Sequence, residues 1–139
     1  MEEKKNFYQV VDEICGIDRR YKPDAYEFLM QALHFTQKKI QKEGHLSGQE
    51  LLGGIREFAA EQFGPMTLTV FKHWGVTKTE DFGNIVFNMV EKEILSKTGV
   101  DSINDFRDVY DFETAFGNIL RESVIKALGE IKNDSKKDS

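Results

Sequence analysis

Three histidines and one cysteine are the side chains best equipped for metal binding or nucleophilic chemistry, and their spacing argues against both. His34, His45 and His73 are dispersed, and the chain contains no HxxxH, HExxH or CxxC arrangement that would bring ligands onto one face. Cys15 sits on the apolar edge of a helical pattern, the position of a small buried hydrophobe rather than an activated thiolate. Asp101, Asp105, Asp108 and Asp111 are dense enough to suggest a divalent cation, but the Gly and Glu positions of a calcium loop are missing, so they read as a solvated wing. There is no nucleophile elbow, P-loop or dinucleotide fingerprint. No catalytic residue, metal ligand or cofactor is assigned, and a non-enzymatic role is favoured.

A second constellation is better suited to recognition. In FKHWGVTKTEDFGNIVFNMVEKEIL, which ends at Leu95, a helix starting near Thr79 would turn Glu80, Asn84, Phe87, Asn88 and Glu91 away from its apolar stripe. Asn84 and Asn88 have the amides for base edges, and Lys78 could meet a phosphate. Against that, Thr79 to Leu95 carries Glu80, Asp81, Glu91 and Glu93 with Lys92 as the lone cation, a composition that repels phosphates. Phe87 on the outward side points either to a protein contact or to burial beneath the N-terminal helices. Partner-binding candidates are therefore Lys78, Asn84, Phe87, Asn88 and Glu91. A protein partner is favoured, with a nucleic-acid-binding regulator and a small-ligand or enzymatic domain as alternatives.

The elements that must position this face follow from periodicity. Phe7, Val10, Val11 and Ile14 form one stripe ending at Gly16. Pro23 opens a second helix expected to run to about Lys42, with Gly44 as its stop. Its apolar residues cover two adjoining faces, as a central helix requires. Ser47-Gly-Gln-Glu50 is a capping box for a third helix, in which the adjacent Gly53 and Gly54 imply either close approach of another backbone or a weak helix. Gly64-Pro65 breaks it, a short helix spans Met66 to Trp74, and Gly75 turns the chain. Thr77-Lys-Thr-Glu80 is a second capping box. The helix behind it should stop near Glu91 to Lys92, because Glu93 would fall in its apolar stripe. Ile94 and Leu95 then begin one limb of an expected short β-hairpin, with Phe106 to Phe112 as the other. From Phe112 a helical period resumes and continues to Ile131.

With 139 residues, one domain is expected: 1–131 helical, with a winged-helix-like core over 47–112, and 132–139 a flexible tail. Eleven Phe against one Trp predict a Phe-rich core. A net charge of −5 disfavours generic attraction to nucleic acid or anionic lipid. The single cysteine suits a reducing cytoplasm, and MEEKKNFYQV lacks the apolar run of a signal peptide. No stretch reaches the roughly 20 apolar residues of a membrane span. The C-terminal stripe either packs back on the domain or pairs with a second copy. The fold class is thus mainly α: a helix-turn-helix followed by a short β-hairpin, with extra N- and C-terminal helices.

The runs GHLSGQELL, FGPM, HWGVTKTEDFGNIVFNMVE and DFRDVYDFETAF resemble a family of short bacterial proteins of unknown function, over about residues 21 to 117. The resemblance implies a bacterial cytosolic origin and brings no catalytic residue with it.

Overall fold

Helical periodicity in the sequence corresponds to five α-helices in the computed structural model, which describes residues 5–44, 46–95, 103–117 and 124–129. They are α1 (Phe7–Ile17), α2 (Pro23–Lys39), α3 (Gly48–Phe63), α4 (Thr67–Trp74) and α5 (Thr79–Glu91). A 3-10 turn, Gly64–Met66, links α3 to α4, and a second one spans Ile103–Phe106. Residues 112–117 and 124–129 are also helical. No β-strand forms among the described residues, and no helix among them is long and apolar enough to cross a membrane.

α2 is central because its apolar residues cover two faces. Ala25, Tyr26, Phe28, Leu29, Ala32, Leu33 and Thr36 are all buried, and α2 packs against α1, α3, α4 and α5. It ends earlier than expected. Gln41 already adopts a left-handed conformation (φ 54°), three positions before Gly44 does the same (φ 81°), and Lys42 N–H reaches back to Gln37 O at 3.0 Å, closing the helix end. α1 is capped by Asn6, whose side chain accepts from Gln9 N–H at 2.9 Å. It buries Val10, Val11 and Ile14 and runs past Gly16 to Ile17.

The Ser47 box forms as expected, with Glu50 N–H donating to Ser47 Oγ at 3.0 Å and Ser47 N–H to Glu50 Oε1 at 2.9 Å. The box at Thr77 is displaced by one residue: Asp81, not Glu80, reaches back, accepting from Lys78 N–H at 3.2 Å and Thr77 N–H at 2.9 Å. α5 ends at Glu91, where Glu93 would otherwise enter the stripe of Phe82, Ile85, Val86 and Met89.

The expected β-hairpin is the main correction. Its first limb runs largely into 96–102, outside the described residues, but its second limb is not a strand. Phe106 begins instead at the end of a 3-10 turn, Asp108 takes a left-handed φ of 48°, and the chain enters helix 112–117 directly. Phe106, Phe112 and Phe116 are buried and Val109 and Tyr110 half-buried, a spacing that no two-residue alternation can satisfy. The backbone finds side chains in place of a partner strand. Asp108 N–H donates to Glu80 Oε1 at 3.1 Å, and Val109 N–H to Thr79 Oγ1 at 3.3 Å. Glu80 thus serves this loop, while Tyr110 OH donates to Leu52 O at 2.9 Å and ties the loop to α3.

Phe71 of α4 is the centre of the aromatic core, within 6.5 Å of the ring centroids of Phe28, Phe63, Trp74, Phe82, Phe112 and Phe116. Helix 112–117 therefore packs back on the domain. Its start is capped by Asp111, which accepts from Thr114 N–H at 3.1 Å. Turn 124–129 differs: every residue in it is exposed. His45, Asp101, Ile119, Leu120, Ile131 and the tail 132–139 lie outside the described residues.

Candidate functional site

Asp81, Asn84 and Asn88 lie at i, i+3 and i+7 on α5, a polar row beside its apolar stripe. The link between α1 and α2 lies over that row. Tyr21 OH donates to Asp81 Oδ1 at 2.6 Å and accepts from Asn84 Nδ2 at 3.0 Å. One turn along, Asn88 Nδ2 donates to Tyr26 OH at 3.0 Å and to Asp18 Oδ2 at 2.9 Å. Asp18 is in turn clasped by Arg20, whose Nη2 donates at 2.8 Å and Nε at 2.9 Å. The Arg20 guanidinium stands 5.2 Å from the centre of the Tyr21 ring.

This seating is fixed at the α4–α5 turn. Gly75 has φ 88°, and a Cβ on it would fall 2.1 Å from Arg20 O. Lys22 N–H donates to Trp74 O at 3.1 Å. The turn therefore needs glycine twice over, for its backbone conformation and for the close approach of the α1–α2 link.

The electrostatics follow from the same contacts. Hydrogen bonding to Arg20, and then to Asn88, holds the Asp18 carboxyl well below the usual carboxylate range, although burial opposes this. Burial pushes the Tyr26 phenol up to about 12, while its bond from Asn88 works the other way. Tyr21 is raised as well, by burial first and by its bond to Asp81 second. Both phenols thus stay neutral and able to donate. The network positions α1 and its link. Buried side-chain polar atoms lacking a partner are absent among the described residues.

Beside the row, between the end of α1 and the last turns of α5, lies a groove of about 300 Å³ lined by Ile14, Ile17, Asp18, Phe87, Asn88, Glu91 and Lys92. Two of its walls are apolar and open to solvent: Ile17 is 75 % exposed and Phe87 49 % exposed. Glu91 and Lys92 form its lip, and neither has an ion-pair partner among the described residues.

The structure separates the five candidate residues. Phe87, Asn88 and Glu91 line this groove. Asn84 lies a turn back, engaged by Tyr21. Lys78 is at the opposite end of α5, exposed over a groove of about 270 Å³ shared with Glu80, Asp108, Tyr110 and Asp111. The histidines do not converge. His34 lines an open groove near Lys38 and Lys42, and His73 is exposed on α4. Among the described residues no three His, Cys, Asp or Glu side chains gather as a metal site.

Ile17, Asp18 and Tyr21 were not singled out as site residues by their pattern alone. For Ile17 a signal existed, since it continues the Val10–Ile14 stripe by one more step of three. For Asp18 and Tyr21 there was none, because their partners stand on α5, 60 or more positions further along the chain. No protein-family model matches the chain, and no curated protein or solved structure matches it significantly.

Proposed function

We infer that the protein is a non-enzymatic interaction module whose groove between α1 and α5 receives apolar side chains of a protein partner. The observation that carries this reading is the exposure of Ile17 and Phe87 on facing walls of one groove, in a chain whose other described phenylalanines are buried or half-buried. α4, the Gly75 turn and α5 supply a helix-turn-helix frame. The lone thiol and the acidic balance suit a cytoplasmic setting.

Nucleic-acid recognition is the weaker reading. The amides of Asn84 and Asn88 that would meet base edges donate to Tyr21, Tyr26 and Asp18. Glu91 adds a free carboxylate at the exposed end of the same helix.

The test is Phe87→Ala with the fold monitored. A half-exposed ring contributes little to folding, so unfolding free energy should shift by less than about 1 kcal/mol, while partner capture by a cross-linker placed at Ile17 is lost. Destabilisation of several kcal/mol, or unchanged capture, would overturn the reading.

A further inference from the structure

The chain carries a second apolar surface with nothing on it. In the helical turn 124–129, Val124, Ile125 and Leu128 are respectively 48 %, 58 % and 52 % exposed. Leu128 lies at i+4 and i+3 from the other two, so the three make one convex stripe. The groove at Ile17 and Phe87 is concave and of a volume suited to a few aliphatic side chains. In a single copy, both surfaces remain open to solvent.

Their charges also match. Lys126 rides on the same turn as the stripe and is exposed, while the groove offers Glu91, which has no ion-pair partner among the described residues. Three aliphatic side chains bury far less than the roughly 800 Å² per partner of a stable interface. One such contact is too small, and a two-fold pair repeats it for each copy.

We propose that the groove is filled by the 124–129 turn of a second copy of this chain, in a reciprocal pair that buries both apolar surfaces. The proposal rests on reading the groove as a docking site and names its occupant. Each copy then presents one groove and one helical turn, and the assembly closes as a dimer.

The test uses the full chain in light scattering across a concentration series. The wild type should move from monomer to dimer mass. Phe87→Lys, which blocks the groove, and Leu128→Lys, which breaks the stripe, should each weaken association by at least about tenfold. Mixing the two variants should restore association above that of either alone, because one intact groove meets one intact stripe. Ile17→Lys, on the opposite wall, serves if Phe87→Lys fails to fold. A photo-reactive phenylalanine at position 87, in a mixture of isotope-labelled and unlabelled copies, should cross-link to the segment holding Val124 and Leu128 of the other copy. A monomer at all concentrations, a Phe87→Lys variant that still dimerises, or cross-links confined to one copy would each overturn the proposal. If the chain is monomeric yet position 87 still traps a foreign protein, the docking reading stands and only the occupant is wrong. If the Ile17 and Phe87 variants change neither dimerisation nor capture, both fall.

Discussion

Gly54 of α3 rests directly on Thr36 of α2: a Cβ built on the glycine would fall 1.6 Å from Thr36 Oγ1 and 2.7 Å from Thr36 Cβ. Thr36 has no room to yield, being buried with its hydroxyl donating to Ala32 O at 2.7 Å. Gly54→Ala must therefore push the two helices apart, at a cost of about 1–3 kcal/mol for overpacking. Thr36→Ala in the same chain should recover only part of that, since the threonine Cβ is itself too close. Gly53 is the control, with open space around its Cβ position. Gly53→Ala should stabilise by about 0.5–1 kcal/mol through helix propensity alone. Urea unfolding of the three variants checks the order, and equal effects at 53 and 54 would contradict the packing.

Phe71→Ala removes the ring on which α2, α4, α5 and helix 112–117 converge, and Phe71 is fully buried. The expected loss is about 3–5 kcal/mol. Of the typical 5–15 kcal/mol of a domain this is a large share. The lowered melting temperature should appear together with proteolysis near residue 112, since Phe112 and Phe116 lose a shared neighbour. A shift below about 1 kcal/mol would show that the rings around it carry the core without it.

What could be read from residues alone was what depends on near neighbours. The stripe of α1, the Ser47 box, the Gly75 turn and the end of α5 at Glu91 are all set within a few positions of the chain. Two features were not legible, for one physical reason. Phe106 to Phe112 has the composition of a strand. It is an irregular segment because Glu80 and Thr79, about 30 positions earlier, take its backbone N–H groups and because Gly48 lets it pack close, with Asp105 Cβ 2.6 Å from where a Gly48 Cβ would be. Asn84 and Asn88 look solvent-facing from the phase of α5, yet Tyr21, Tyr26 and Asp18 reach them across more than 60 positions. Periodicity says which side of a helix is apolar and is silent about which polar side chains find a buried partner.

Acid should loosen the α1–α2 link before the core. Asp18 titrates in the folded chain well below its unfolded value of about 3.9. Its contribution is therefore complete above that value and is lost as pH falls through and below it. The Arg20 side chain is largely exposed, so screening holds the gain to about 1 kcal/mol. Asp18→Asn should be less stable than wild type at neutral pH, and the gap should narrow as pH drops from about 4 toward 2. Parallel melting curves across that range, with no convergence, would show that the Asp18 carboxylate is not the acid-sensitive group.

Gly75→Ala tests whether the link and the α4–α5 turn are one unit. An alanine at φ 88° costs about 1 kcal/mol or more in the left-handed region. The same methyl would meet Arg20 O at 2.1 Å, a backbone atom that can retreat only by moving the link. That movement breaks Lys22 N–H to Trp74 O and draws Tyr21 away from Asp81 and Asn84. The expected result is a destabilisation larger than the conformational cost alone, about 2–4 kcal/mol. Amide hydrogen exchange should also rise at residues 18–22 as well as at the turn. Tyr21→Phe in the Gly75→Ala background should then cost less than Tyr21→Phe in wild type, because its hydroxyl partners are already displaced. Additive effects of the two substitutions, with exchange unchanged over 18–22, would show the turn and the link to be independent.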